Sequence, residues 1–256
     1  MKNLRQSARV AVSGVCYATE GRPDVTMSIY GGKDPRELPA YSFADAGRLL
    51  AVNPSTIRNW ARGHEHFRPV LTVPTESGVD AISFFNLIET FVLDELRRRH
   101  RFSLQELRPY IAYMRDTFPK ATYPLAQVDL FVSNNELFGR FGKSQLVNIS
   151  RGGQFVLEEV LRDLLQRVEK GPSGEGIVKL FPFITKQRTI DSPRVVEVNP
   201  RVRFGQPVIA GTGIPTAVVA QRFAGGDSIA KLAEEYDRTT EQIEQVIQYE
   251  SARRAA

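Results

Sequence analysis

The chain has 256 residues, of which 42% are hydrophobic, and its formal net charge of +5 permits nucleic-acid binding without requiring it. No run of eighteen apolar residues is present, which excludes a membrane-spanning helix, and because the N-terminus has no apolar block we expect no secretory signal. A single cysteine, Cys16, excludes an internal disulfide and a cysteine-rich zinc site, so we expect a reduced, cytoplasmic protein.

Residues 1–37 predict an irregular arm that ends in the turn-forming run 31–35. The first helical pattern follows Tyr41. Ser42 can cap this helix, with Asp45 three residues later as a weak capping box. Its apolar residues share one face, and these are Phe43, Ala46, Leu49 and Leu50. The run 52–55 breaks the helix, and Asn53 can cap a second one that has Pro54 in its first turn. Two short helices in this order predict a helix-turn-helix.

The second helix, predicted from Ser55 to Gly63, has an apolar and a polar face. Ile57, Trp60 and Ala61 face inward. The polar face offers short hydroxyl or amide side chains and arginines, which can bond to base edges and phosphates in the major groove. The residues predicted to contact DNA are Ser55, Thr56, Arg58, Asn59, Arg62, His64 and Arg68. The alternative is a helical hairpin with a solvated polar face.

The runs 70–73 and 81–84 flank a turn cluster at 74–78 and predict a small hairpin, the wing of the domain. A broad apolar face then predicts a helix from Phe84 to Leu96. It ends in an arginine-rich segment that either touches the DNA backbone or complements the helix dipole. The arginines concerned are Arg97, Arg98, Arg99 and Arg101.

Ser103 and Glu106 form a capping box for the next helix. Its narrow stripe predicts helix-on-helix packing, within the fold or across a dimer, and comprises Leu104, Leu107, Ile111, Met114 and Phe118. Further on, the predicted elements are strands at 128–132, 137–141 and 145–149 with a turn at 134–135, a helix at 155–168 and a linker at 170–176.

The last block predicts a strand at 195–198, a short apolar run at 208–209 and three helices to about residue 252. The final two helices have the form of a second helix-turn-helix. Because the last one exposes Glu241 and Glu244, and carboxylates repel phosphate, a protein contact is favoured over base reading. Gly205 to Gly213 lacks phosphate-loop spacing, so its glycines indicate tight turns. His64 and His66 have no third ligand nearby, and no catalytic constellation is found, so neither a metal, a cofactor nor an enzyme is expected.

The run from Tyr41 to Trp60 (YSFADAGRLLAVNPSTIRNW) resembles the winged helix of MerR-type regulators, and the resemblance extends to about Phe118. It implies binding of double-stranded operator DNA. The distal cysteines of the metal-sensing members are missing from this chain, so the resemblance does not imply metal sensing.

The run from Val198 to Thr216 (VNPRVRFGQPVIAGTGIPT) is similar to a small bacterial domain that recurs in VapB-type antitoxins encoded beside PIN-like ribonuclease toxins. Gly213 occupies a position where that pattern usually has arginine, which weakens any role that rests on that side chain. The resemblance implies a toxin-binding surface, and the residues assigned to it are Arg201, Arg203, Phe204, Gly205, Ile209, Thr212 and Ile214.

We therefore expect an α+β, mostly helical protein with four parts. These are an arm at 1–37, a winged helix-turn-helix with a helical hairpin at 38–120, a mixed α/β region at 121–192 and a helical, helix-turn-helix-like domain at 193–256. The expected function is that of a homodimeric antitoxin that binds its operator and its toxin, with no membrane association. The alternative is a stand-alone transcriptional regulator whose middle or C-terminal region binds an effector or another protein.

Overall fold

The computed structural model gives the fold of most of the chain. The residues that it describes are 29–65, 67–73, 80–127, 129–133, 136–140, 146–148, 166–172, 175–184, 188 and 192–254. Within them, helices predominate and the strands form small antiparallel sheets. The predicted α+β, mostly helical class is confirmed.

The helix-turn-helix forms as its caps predict. Strand β1 (Tyr41–Ser42) leads into helix α1 (Phe43–Leu50), where the amide of Asp45 donates to Ser42 Oγ at 3.0 Å. Helix α2 (Pro54–Arg62) begins where the amide of Ser55 donates to Asn53 Oδ1 at 2.9 Å. A side chain at Gly47 would lie 2.7 Å from the carbonyl oxygen of Val52. Glycine at this position therefore allows the turn to pass close to α1.

The predicted hairpin of the wing is wrong in its pairing. Strand β2 (Ala81–Ile82) pairs antiparallel with β1, not with the segment 70–73, which bends at Val70 and Leu71 and has no strand partner among the described residues. Phe84 begins a helix instead of ending a strand, because Ser83 and Asn86 form a reciprocal capping box. The predicted turn at 74–78 lies outside the described residues.

Helix α3 (Phe84–His100) and helix α4 (Leu104–Thr117) form the expected helical hairpin, with the capping box of Ser103 and Glu106 in place. A short helix α5 (Pro124–Gln127) follows. Helix α3 is buried on all sides as far as Leu96, including three carboxylic acids. It is therefore the central helix of the larger hydrophobic core and not an amphipathic surface helix.

The middle of the chain holds two small sheets. Strands β3 (Asp129–Ser133), β4 (Glu136–Arg140) and β5 (Leu146–Asn148) form an antiparallel meander at the predicted positions. Strand β6 (Val168–Lys170) pairs with β7 (Ile177–Leu180). The predicted linker at 170–176 is thus the connection of a hairpin. The predicted helix at 155–168 lies mostly outside the described residues, and its last residue belongs to β6.

The C-terminal part forms around a second hydrophobic core. Its elements are β8 (Val196–Glu197), a 3-10 turn (Arg203–Gly205), β9 (Val208–Ile209), α6 (Thr216–Ala224), α7 (Ile229–Glu235) and α8 (Thr240–Arg254). Strands β8 and β9 pair antiparallel. The predicted strand, apolar run and three helices are all present.

A backbone bridge joins the two cores. The amide of Val198 donates to the carbonyl of Leu180 at 2.8 Å, and the reverse bond measures 3.0 Å. Val198 follows β8 in the C-terminal part, yet its side chain is buried in the first core. The predicted boundary between residues 192 and 193 therefore crosses continuous packing and pairing.

Candidate nucleic-acid interface

Helix α2 separates its two faces as the sequence predicts. Ile57, Trp60 and Ala61 are buried, with Trp60 only 2% exposed. The opposite face is open to solvent, with Thr56 half-buried and Ser55, Arg58, Asn59 and Arg62 exposed. A helix anchored on one side by a large aromatic and polar on the other has the form that enters a major groove.

The two arginines of this face differ in their electrostatic surroundings. The guanidinium of Arg58 lies 5.6 Å from the ring centre of Phe43, and that of Arg62 lies 5.8 Å from the same ring. Arg62 also forms an ion pair with Asp80, and both of these side chains are about half exposed. A phosphate that approaches Arg62 must therefore compete with a carboxylate, whereas Arg58 has no ion-pair partner among the residues that the structure describes and is held there by a cation–π contact.

Beyond α2, the chain folds back on itself through a bridge between the backbones of His64 and Phe67. His64 and Arg68 are exposed, as predicted, and the ring of His64 lies 3.3 Å from the carboxylate of Glu65. The Phe67 side chain is 48% exposed and lies under the guanidinium of Arg108 at 5.5 Å. Sequence reasoning missed both residues: Phe67 is an apolar side chain between the predicted polar residues His64 and Arg68, and Arg108 comes from α4, about forty residues further along the chain.

Two cavities, of about 330 and 490 Å³, meet at Phe67 and Arg108. The first borders α2 through Thr56 and Asn59 and is also lined by His64 and Arg97. The second is lined by three arginines, which are Arg68, Arg108 and Arg115. Neither cavity has an aspartate or glutamate among its described lining residues. The surface that continues from the polar face of α2 is thus cationic, as the phosphate backbone requires.

The arginines at the C-terminal end of α3 have different contacts. Arg98 pairs with Asp94 at 2.9 Å and donates to the carbonyl of Ala51 at 2.8 Å, so it fastens α3 to the end of α1 although its side chain is half exposed. Arg97 is exposed and lies 5.6 Å from the ring centre of Trp60, and Arg101 is exposed at the helix end. The side chain of Arg99 lies outside the described residues. The three described members of this set are therefore all open to solvent.

The segment 201–214 contains both exposed and buried members of the predicted toxin-binding set. Phe204 is 67% exposed, and Arg201 and Arg203 are exposed beside it. Gly205 and Ile209 are buried, so they support this loop from beneath and present no surface to a partner. Thr212 and Ile214 are half-buried, and they were assigned to the same surface.

An unusual backbone presents Phe204. Arg203, Phe204 and Gly205 have φ angles of 49°, 55° and 77°, all in the left-handed region. A side chain at Gly205 would collide with the hydroxyl of Tyr41, the residue that precedes the cap of α1. Only glycine fits there. The loop that exposes Phe204 therefore rests directly against the helix-turn-helix.

A buried ionic cluster joins the parts of the chain, and nothing in the sequence pattern indicated it. Nη1 of Arg188 lies 2.7 Å from the carboxylate of Asp94 and also contacts Glu95, while Nη2 donates to the carbonyl of Leu50. All three charged side chains are at most 7% exposed. Arg188 thus connects α3, the end of α1 and the segment that leads to β8.

Glu89 is the third buried acid of α3. Burial raises the pKa of its carboxyl to about 8, although the Asn86 side chain, the amide of Leu125 and the charge of Arg115 oppose that rise. A neutral acid in a core is the expected state of a carboxyl that has no full ion pair.

Within the described part of the chain, no helix is long and apolar enough to cross a membrane. The same residues contain no cluster of three or more histidine, cysteine, aspartate or glutamate side chains that could hold a metal ion.

Two family descriptions match separate parts of the chain. Residues 39–111 match "Putative DNA-binding HTH domain", and residues 196–249 match "Protein of unknown function (DUF433)". The first range contains α1 to the middle of α4, and the second contains β8 to α8. The helix-turn-helix formed by α1 and α2 therefore lies within the range that matches the putative DNA-binding domain.

Two relatives and one solved structure align along most of the chain, all from Mycobacterium tuberculosis (strain ATCC 25618 / H37Rv for the relatives). The chain is 26% identical to "Putative antitoxin VapB45" and 27% identical to "Uncharacterized protein Rv2308"; the alignments cover 81% and 84% of this chain and 92% of each relative. The crystal structure of Rv2018 has a TM-score of 0.55 at 21% identity, covers 82% of this chain and 98% of its own, and shows the same fold. The chain thus contains a helix-turn-helix and is similar along most of its length to a relative named as a putative antitoxin.

Proposed function

We propose that this chain is a DNA-binding antitoxin that represses its own operon and neutralises a PIN-like ribonuclease toxin. The proposal depends most on the solvent-exposed polar face of α2, which Trp60 anchors from beneath. A homodimer would place two copies of this helix in successive major grooves, about 34 Å apart, on an operator with two-fold symmetry. The winged helix would then act as in MerR-type regulators, without a bound metal or cofactor.

For the toxin-binding half, we assign the surface formed by Arg201, Arg203 and Phe204. An exposed aromatic beside arginines has the composition of an interface anchor, and the left-handed backbone fixes its direction. The similarity to a relative named as an antitoxin supports this assignment. The toxin is expected to be a short nuclease rich in acidic residues, which suits a cationic contact.

The DNA-binding half is tested by replacing the two arginines of α2. Arg58→Ala and Arg62→Ala should each weaken binding to the upstream DNA by about 1–3 kcal/mol if the guanidinium forks onto a base. Gel shifts or fluorescence anisotropy at fixed salt measure the effect, and unfolding curves check that the fold is intact. Unchanged affinity in both variants would remove α2 from its assigned role.

Asp80→Asn provides a matched comparison on the same surface. It removes the carboxylate that competes with phosphate for Arg62. Because exposed ion pairs are worth at most about 1 kcal/mol, DNA affinity should rise by no more than about fivefold. Asp80→Asn and Arg62→Ala should thus change the affinity for DNA in opposite directions, and both act through the Arg62 guanidinium.

The antitoxin half is tested by co-expression with the adjacent open reading frame. We expect a complex that co-purifies with this chain, and we expect the chain to relieve growth arrest caused by the neighbour. Phe204→Ala with Arg203→Ala should weaken that complex without changing DNA binding by the free chain. A neighbour that is harmless alone and does not bind this chain would contradict the toxin assignment.

The second candidate is a stand-alone regulator that binds a small effector. A cavity of about 430 Å³ between the helix-turn-helix and the C-terminal part favours it, and its lining includes Tyr41, Leu49, Phe204 and Thr216. This volume is within the range of small-molecule sites. Thermal stabilisation by a metabolite, together with no partner from the adjacent gene, would support this reading.

A further inference from the structure

The segment 68–72 makes an unusual set of hydrogen bonds. It follows α2 and carries Arg68 toward the cationic surface, yet it has no strand partner among the described residues. A segment near a core must still satisfy its backbone donors and acceptors. The partners that it uses are side chains of the helical hairpin and the end of α2.

Three alternate carbonyls of the segment accept hydrogen bonds from side chains. Nη1 of Arg108 donates to the carbonyl of Arg68, and Nη2 of Arg115 donates to the carbonyl of Val70. Nδ2 of Asn86 donates to the carbonyl of Thr72 at 2.9 Å, and Arg115 reaches the hydroxyl of Thr72 at 3.1 Å. Helices α3 and α4 therefore take the place of the neighbouring strand that the sequence predicted.

The amides of the same segment reach the recognition helix. The N–H groups of Val70 and Leu71 both donate to the carbonyl of Trp60, at 2.8 and 3.0 Å. Trp60 lies in the last turn of α2, where carbonyls have no partner within the helix. The segment therefore caps the C-terminal end of α2. Its carbonyls are held by α4 and its amides by α2, so it connects the two helices.

The arginines are well suited to hold such a segment. Hydrogen bonds from a charged donor are roughly twice as strong as those between neutral groups. The Nε atoms of Arg108 and Arg115 are buried and make no hydrogen bond within the described part of the chain. Their hydrogen bonding is therefore concentrated at the outer nitrogens, which contact the backbone carbonyls.

We propose that Arg108 and Arg115 are positioning residues for DNA binding, which act by fixing the segment 68–72 and, through it, α2 and Arg68. This inference rests on the proposed DNA-binding function. In it, neither arginine contacts phosphate. Loss of either one would loosen the segment and misplace the groups that do contact DNA.

The first test needs no DNA. Hydrogen exchange of the Val70 and Leu71 amides is measured in the full chain for Arg108→Gln and Arg115→Gln, with Lys120→Gln as the control. Lys120 is exposed just after α4, so its replacement removes one charge at a site away from the segment. Exchange of both amides should speed up by about tenfold or more in the arginine variants and stay unchanged in the control.

The second test uses the salt dependence of DNA binding. Each phosphate contact contributes about −0.9 to the slope of log K against log salt for duplex DNA. Arg68→Gln should reduce the slope by about that amount, since it removes a proposed contact. Arg108→Gln and Arg115→Gln should each weaken binding by about tenfold and reduce the slope by no more than Arg68→Gln does, because they act through Arg68 and remove no contact of their own. Combined with Arg68→Gln, either substitution should leave the slope of the Arg68→Gln variant unchanged. Arg115→Lys, which retains charge but cannot fork, should lie between wild type and Arg115→Gln.

Three outcomes would overturn the inference. These are unchanged exchange at Val70 and Leu71, a further reduction of the slope when Arg108→Gln or Arg115→Gln is combined with Arg68→Gln, or collapse of the whole domain, which would mean that the arginines support the core and not the segment. Arg108→Gln is the cleaner variant, because Arg115 also influences Glu89. If wild-type chain does not bind DNA, the proposed function fails, but the exchange experiment still decides the role of the arginines.

Discussion

Replacing Arg188 by alanine should lower the free energy of unfolding by about 3–5 kcal/mol, because it removes the cation that Asp94 and Glu95 share and leaves the buried carboxylate of Glu95 without that partner. Asp94 retains its contact with Arg98, whereas Glu95 is only 1% exposed and loses its ion-pair partner. Equilibrium unfolding in urea at neutral pH measures the loss. Arg58→Ala removes the same charge from an exposed site, so it should cost less than about 1 kcal/mol.

The cause can be separated from simple loss of packing. Arg188→Leu combined with Asp94→Asn and Glu95→Gln removes the buried charges altogether. Replacing a whole buried ion cluster by uncharged side chains often leaves the free energy of unfolding nearly unchanged. This triple variant should therefore regain most of the stability lost in Arg188→Ala. A triple variant as unstable as Arg188→Ala would show that shape, not charge, is what Arg188 contributes.

Stability should also fall as the pH rises from about 4.5 to about 8, through the titration of Glu89. Its pKa is raised to about 8 in the folded chain, from 4.5 as the ordinary value. The folded state therefore binds this proton more tightly than the unfolded state. The stabilisation is complete below the unfolded pKa and is lost as the pH passes the folded pKa. At about 1.4 kcal/mol per pH unit, the effect is on the order of 3–5 kcal/mol.

Glu89→Gln isolates this contribution. Glutamine retains the carbonyl oxygen that accepts from the Leu125 amide but does not titrate. The difference in unfolding free energy between variant and wild type should move in favour of the variant between pH 5 and 8, and other groups cancel in that difference. Glu106→Gln is the control. The hydroxyl and amide of Ser103 lower the pKa of Glu106, so its titration lies below this range. A flat difference for Glu89→Gln would contradict the raised pKa.

Local chemistry explains which elements could be predicted. The caps at Ser42, Asn53 and Ser103 each bond to an amide two or three residues away, so the information lies within one turn of helix. The buried face of α2 follows in the same way from helical periodicity. Those two signals together place the exposed polar face that carries the proposed DNA site.

What could not be predicted depends on partners far along the chain. Strand β2 pairs with β1 across about forty residues, and two-residue strands carry too little pattern to choose a partner. Arg188 and its carboxylates are more than ninety residues apart, so in the sequence each has the form of a solvated surface charge. The roles of Arg108 and Arg115 depend on backbone carbonyls, which have no sequence signature at all.

Trp60 is the only tryptophan in the chain and lies beneath the recognition helix, with its carbonyl capped by Val70 and Leu71. The intrinsic emission of the protein at indole wavelengths thus arises at one place. A shift of that emission when DNA is added would report on helix α2 itself, without a contribution from the C-terminal helices. The molecule carries its own optical probe where operator binding is proposed to occur, and no label is needed to follow that event.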